Sequence, residues 1–228
     1  MSTPSTPRPS GTVVVVRDAG DGFELLLLER TPRGGEPQPW VFPGGKVDAA
    51  DLRAGEDEVA AARRAAAREA EEEAGLVLDV ETLVPISRWI TPEISPKRFD
   101  TWFFLAPLRE AASVRVDGGE IQGHRWLSPR EALALHEKKA LRLAPPTFVT
   151  VTTLAVHAGV EPALRACADC ELPTFRPRIV RLDAGAVMLY PGDAGYDAHD
   201  ANLQGPRHRL YALAEGSWRY ERDLDESR

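Results

Sequence analysis

Cysteine is nearly missing: the 228-residue chain has two, Cys167 and Cys170, in a single Cys-x-x-Cys. With no second pair to complete a zinc site and no thioredoxin-like surroundings, they read as ordinary helix or loop residues. No apolar run approaches the length of a membrane span, which argues against a membrane partner. The opening MSTPSTPRPSG is rich in Pro, Ser and Thr and lacks the apolar centre of a signal peptide, so a cytoplasmic protein is expected. Positive charge is also short, with 28 Lys and Arg against 35 Asp and Glu and a net charge of −7. Phosphate backbones are bound by basic surfaces, so nucleic acid is not expected as a partner. What remains, 43% hydrophobic and 28% charged residues, is the composition of an enzyme-sized domain with a long extension.

The densest chemistry lies in Arg68-Glu69-Ala70-Glu71-Glu72-Glu73-Ala74-Gly75-Leu76. On a helix Glu69, Glu72 and Glu73 stand at i, i+3 and i+4 and share one face, while Glu71 points elsewhere. Three like charges repel unless a divalent cation sits among them, and Mg²⁺ or Mn²⁺ prefers hard oxygen ligands. Arg68 can steady a carboxylate through its planar fork of donors. Gly75 supplies the left-handed stop. A bare acidic run is more often a solvated helix face, so the weight falls on the stretch upstream, Val41-Phe42-Pro43-Gly44-Gly45-Lys46-Val47-Asp48. It reads as an apolar segment entering a Gly-Gly turn, where backbone approaches a ligand without an intervening Cβ.

Together the two stretches resemble the Nudix box, Gly-x5-Glu-x7-Arg-Glu-U-x-Glu-Glu-x-Gly-U with U apolar. The second half matches at every fixed position, with Ala70 and Leu76 in the apolar slots. The first half departs: counted back from Arg68, the first glutamate falls at Ala60 and the glycine at Ala54. An insertion from Ala49 to roughly Asp57 accounts for this, and it leaves open whether Arg68 is partnered by Asp48, Asp57 or Glu58, or by nothing. The lengthened box and the lead-in Leu26-Leu27-Leu28-Glu29-Arg30 resemble the branch that includes coenzyme A and acyl-coenzyme A diphosphatases. The resemblance implies an α/β fold, a mixed sheet in an α/β/α sandwich. It also implies a metal site at Glu69, Glu72, Glu73 and the Gly44 carbonyl, holding Mg²⁺ or Mn²⁺, and a small-molecule diphosphate as substrate. Coenzyme A or an acyl-coenzyme A leads; ADP-ribose, dinucleotides and nucleoside triphosphates follow. Two other classes stand beside the enzyme: a non-catalytic nucleotide-binding regulator of the same fold, and a scaffold whose acidic helix meets a basic partner. Many relatives are homodimers.

Taken in order, residues 1–10 read as a disordered tail, 11–138 as the Nudix domain, and 139–228 as an extension of helices and then short strands packing on the core. Thr12–Arg17 and Phe23–Glu29 read as a hairpin, and Thr31–Pro39 as a loop beside Trp40. A helix from about Glu56 to Ala74 leads to strands at Leu83–Ile90 and Phe99–Leu105. Between these strands Lys97 and Arg98 form a cationic pair that can hold a phosphate or simply be solvated, and Glu93 is equally ambiguous. Arg30, Trp40, Lys97 and Arg98 are the candidate substrate contacts. Glu120, shortly before Trp126, matches the late glutamate that family members use as an extra ligand or base, with Glu93 behind it. Ser128-Pro129-Arg130-Glu131 is a capping box opening a helix. Helices are expected from Ala144 to about His157 and near Glu161–Ala168. Strands are expected at Arg178–Leu182, Ala186–Tyr190, His208–Leu213 and Trp218–Tyr220, divided by Pro-Gly-Asp and Glu-Gly turns. His157, His199 and His208 lack clustered ligand spacing.

Overall fold

The computed structural model describes residues 5–108, 112–213 and 217–223. In chain order its strands are β1 (Arg8–Ala19), β2 (Gly22–Arg30), β3 (Trp40–Val41), β4 (Gly44–Lys46), β5 (Val84–Ile90), β6 (Phe99–Pro107), β7 (Ile121–Leu127), β8 (Thr174–Phe175), β9 (Arg178–Leu182), β10 (Gly185–Leu189), β11 (His208–Leu213) and β12 (Trp218–Arg222). Its helices are α1 (Glu58–Ala74), α2 (Pro129–Glu137), α3 (Pro145–Leu154) and α4 (Val160–Asp169).

Strand periodicity builds the layers. Side chains alternate across a strand, so Val13 and Val15 of β1 face α1 while Val14 and Val16 face the opposite way, and all are fully buried. The first face packs on Ala62, Ala66, Ala70 and Ala74 of α1; the second packs on Ala132 of α2, Phe148 and Val151 of α3 and Ala163 of α4. The result is the expected α/β/α arrangement. Its sheet runs β3-β2-β1-β6-β5-β8, with β4 also pairing β1 and β7 also pairing β2. It is mixed, because β1 runs parallel to β6 and antiparallel to β2 and β4. The strands of the extension form a second, antiparallel sheet in the order β12-β11-β10-β9. Tyr190 and Leu210 join the larger core, and Trp218 lies edge-on to His136 and Phe148 at ring separations of 4.7 and 5.4 Å. No described helix is long and apolar enough to cross a membrane.

The alanine stripe lets α1 lie so close to β1 that a Cβ on Gly11 would run into the Ala62 carbonyl. Backbone cannot swing aside as a side chain can. Gly11→Ala is therefore expected to destabilise the fold by roughly 3 kcal/mol, the upper part of the range for overpacking, as a lower urea midpoint with unchanged slope.

Three expectations change. β1 begins at Arg8, inside the stretch read as a tail, because the Arg8 N–H donates to the Arg98 carbonyl and the Pro9 carbonyl accepts from Val47, pairing the segment on both sides. The Gly-Gly turn is instead the short strand β4, whose glycines answer a need for close approach and not for positive φ. Helix α1 starts at Glu58 because the Asp57 carboxylate accepts from the Ala60 N–H at 2.8 Å and caps it. The hairpin, the Ser128 capping box and the strands at 178–182 and 208–213 form as expected, while α3 stops at Leu154. The Glu215-Gly216 turn and residues 1–4 lie outside the described residues.

Candidate active site

Helix register sets the site. Gly75 ends α1 in the left-handed conformation at φ 67°, and its N–H bonds back to Glu71 at 2.9 Å, which fixes the last turn carrying Glu72 and Glu73. One face of that turn meets β4. The Gly44 N–H donates to Glu73 Oε2 at 3.0 Å, and a Cβ on Gly45 would overlap the Glu69 carboxylate. Here the obstacle is the end of a flexible side chain, so Gly45→Ala is expected to cost little stability and to displace Glu69, cutting activity at least about tenfold through misplacement alone. Comparing kcat with the urea midpoint of that variant separates it from Gly11→Ala.

Arg68 gathers the acidic groups from the other side. Its Nη1 donates to Glu69 Oε1 at 2.9 Å and Glu72 Oε2 at 3.0 Å; its Nη2 donates to the Lys46 carbonyl at 2.9 Å and to Asp51 Oδ2 at 3.1 Å. Asp51 is therefore the main carboxylate partner left open by the missing box glutamate. Asp48 stands farther off at 3.7 Å, Asp57 is the helix cap, and Glu58 pairs with Arg88 at 3.1 Å. Asp51 ends a short 3-10 turn, Ala49–Asp51, made by the inserted segment, and it is 4% exposed. Sequence reading passed over it. The available signal was its spacing of three from Asp48, whose N–H it caps at 2.9 Å, as in a capping box.

Burial dominates the electrostatics. Glu73 is 7% exposed, and its carboxyl is pushed up to about 7, first by burial and further by Glu69 and Glu120, against the opposing Gly44 N–H and Arg30. Burial also raises Glu69, with Glu72 and Asp48 adding to it and the Arg68 guanidinium opposing. So Glu69, Glu72, Glu73, Glu120, Arg30, Arg68 and Gly44 converge. Among the described residues no group of three side chains already forms a closed metal cage, since Arg68 draws Glu69 and Glu72 while Glu73 turns to Gly44. The donor set nevertheless fits a hard cation, being oxygen-only and carrying a buried carboxyl whose charge the protein leaves undercompensated.

The remaining candidates lie apart. Arg98 is 7% exposed, and its Nε and Nη1 donate to the Thr91 and Ser5 carbonyls at 3.1 and 2.8 Å, tying the loop to Ser5. Lys97 beside it is exposed. Glu93 pairs with Arg176 at 2.6 Å. Trp40 belongs to the core, with the Arg125 guanidinium 5.4 Å from its ring centroid. Cys167 and Cys170 are free thiols, and burial pushes Cys167 up to about 11, far from a reactive thiolate. His208 is occupied by the Pro191 carbonyl and the Tyr220 hydroxyl.

The chain is similar to known proteins in sequence and in fold. The chain is 37% identical over 123 residues to acyl-coenzyme A diphosphatase NUDT19 of Homo sapiens, a match covering 52% of this chain and 33% of that one. It is 31% identical over 138 residues to acyl-coenzyme A diphosphatase NUDT19 of Xenopus laevis, covering 57% and 36%. The chain thus spans about a third of the length of these two relatives. The crystal structure of a NUDIX hydrolase from Alicyclobacillus acidocaldarius superposes with a TM-score of 0.65 at 24% identity, over 73% of this chain and 99% of that one, and shows the same fold. The model of the NUDIX domain matches residues 7–147, more than half of the chain and the whole of the carboxylate-bearing helix, and the chain belongs to that family.

Proposed function

We propose that the chain is a metal-dependent pyrophosphohydrolase that cleaves the diphosphate of coenzyme A or an acyl-coenzyme A. The observation that carries the reading is the last turns of α1, where Glu69 and Glu73 lie against Gly45 and Gly44 of β4 while Arg68 donates to both Glu69 and Glu72. Nudix hydrolases use divalent metal ions; Glu69, Glu72, Glu73 and the Gly44 backbone would hold Mg²⁺ or Mn²⁺. Bound there, the ion supplies charge neutralisation for the diphosphate and acidifies water. The chain's own residues do the rest. Arg68, anchored on Asp51, orients Glu69 and Glu72 through one nitrogen. The attacking water gives up its proton to a carboxylate, for which Glu69, Glu73, Glu120 and a loop carboxylate are the candidates. Water adds to one phosphorus, the bridging P–O bond breaks, and two monophosphates leave, for coenzyme A an ADP-type fragment and a phosphopantetheine. Arg30 is close enough to Glu73 to act on its charge, and it is the candidate cation for the substrate's phosphates. The two diphosphatases support the choice of substrate. A cytoplasmic setting, a homodimer and independence from nucleic acid belong to the same reading; the net charge of −7 supports the last.

Chromatography of the products with Mg²⁺ or Mn²⁺ tests it, over coenzyme A, acetyl-coenzyme A, ADP-ribose, NADH and nucleoside triphosphates. Cleavage of the coenzyme A species that vanishes in Glu72→Gln is expected. Cleavage of nucleotides alone keeps the hydrolase and discards the substrate. No metal-dependent turnover of anything defeats the reading.

A further inference from the structure

A cavity of ≈ 340 Å³ opens on the face of the large sheet opposite α1. Its floor is Trp89 of β5 and Phe103 of β6, Pro145 at the start of α3 forms one side, and Ile179 and Met188 of the second sheet close it from above. Thr12 joins it to the carboxylate site, since Thr12 lines the cavity and is also the strand partner of Gly44. From Gly44 the floor crosses β1, β6 and β5, three strand spacings or about 14 Å. Fully buried Tyr190 is another wall, and its hydroxyl has no hydrogen-bond partner among the described residues. The lining is almost wholly apolar, as suits a pocket for an apolar group.

Resting on the hydrolase reading, we infer that this cavity receives the acyl chain of an acyl-thioester substrate. A ligand anchored by its diphosphate beside Gly44 must cover those strand spacings before its apolar end is buried, and the pantetheine arm, with its two amides, is a spacer of that kind. The cavity size suits a short or medium chain and excludes a long one. The extension thereby becomes the element that sets substrate preference, because Ile179, Met188 and Tyr190 all belong to it.

The test has two arms, both on the full chain. In the first, kcat/KM is measured for coenzyme A and its acetyl, butyryl, hexanoyl and palmitoyl thioesters. Efficiency is expected to rise roughly fourfold per buried methylene until the cavity is full and to fall at palmitoyl. Met188→Trp is expected to bring the ratio of hexanoyl-coenzyme A to coenzyme A toward one, and Met188→Ala to move the optimum to longer chains. In the second arm hexanoyl-pantetheine, which lacks any diphosphate, is titrated calorimetrically onto the metal-free protein. Binding is expected to weaken at least tenfold in Met188→Trp, with circular dichroism showing the variant folded. If no coenzyme A species is cleaved, the coenzyme A substrate is discarded and the titration alone decides the cavity. Turnover independent of chain length, with equal heats in all variants, overturns the assignment while the hydrolase stands. Binding of adenosine nucleotides that Met188→Trp abolishes gives the cavity to the nucleobase and overturns it as well.

Discussion

Glu73→Gln is expected to lower turnover by at least about a hundredfold and, at the same time, to make the metal-free protein more stable above neutral pH. The first effect follows from the proposed chemistry, since even the outer-shell partners of a metal cost 10–100-fold when removed, and Glu73 is proposed as a direct ligand or base. The second follows from burial. In the fold the carboxyl titrates at about 7 against an ordinary 4.5, so the folded state holds its proton more tightly than the unfolded chain does. A folded-state pKa that is raised gives stability present in full below the ordinary carboxylate range and lost as pH climbs through 7; the span is worth about 3 kcal/mol at most. In a chelator the stability gained by the glutamine variant over the wild type is thus expected to be larger at pH 8 than at pH 5, by urea unfolding; the subtraction cancels His136 and His208, whose burial acts in the opposite direction. Glutamine can still accept the Gly44 N–H, so its gain is not masked by a lost hydrogen bond. Adding Mg²⁺ or Mn²⁺ at pH 8 is expected to stabilise the wild type more than at pH 5, because the cation binds the ionised form. A variant with wild-type turnover would falsify the role given to Glu73. A difference between the two proteins that does not change from pH 5 to 8 would contradict the electrostatic reading of Glu73 alone.

That coupling of stability to function was only half visible in the residues. The register of Glu69, Glu72 and Glu73 and the stop at Gly75 were legible because both are local: a helix repeats every 3.6 residues, and its terminus is decided within one turn. The hairpin of β1 and β2 and the capping box at Ser128 and Glu131 were legible for the same reason. What the neighbouring elements decide was not. Pro43-Gly44-Gly45 has the composition of a turn, yet β1 recruits Gly44–Lys46 as a strand, and the glycines are there because Thr12 and Glu69 occupy the space of a Cβ. Asp51 sits in an insertion with no pattern of its own and becomes Arg68's partner only when the 3-10 turn folds it under the helix. Arg98 shows the converse, a cation that its surroundings bury, with Nε and Nη1 donating to the Thr91 and Ser5 carbonyls, which its charge alone did not reveal.

The largest stability effect is expected from Asp193→Ala. The Asp193 carboxylate and the Arg209 guanidinium meet in a two-point contact of 2.6 and 2.7 Å, with side-chain exposures of 0% and 1%. Asp193 also accepts the His208 N–H at 2.9 Å and the Gly195 N–H at 2.8 Å, so one carboxylate ties the loop after β10 to the start of β11. Removing it leaves a buried guanidinium without its counter-ion and two N–H groups without acceptors. Breaking a buried pair from one side costs about 3–5 kcal/mol, most of a typical domain's stability, and is read as a lower urea midpoint. The pair itself is a weaker stabiliser than that number suggests, because both charges were taken out of water to form it. The double variant Asp193→Asn with Arg209→Leu is therefore expected to recover part of the loss, which a simple sum of favourable contacts does not predict. The loss has a functional face too. Asp193 lies three residues past Tyr190 and its N–H bonds the Tyr190 carbonyl at 3.0 Å, so loosening this corner releases the wall of the apolar cavity before it disturbs α1. At a temperature where Asp193→Ala remains folded, efficiency on hexanoyl-coenzyme A is expected to fall more than efficiency on coenzyme A. Equal losses on both substrates would mean that the second sheet stabilises the whole molecule and selects nothing.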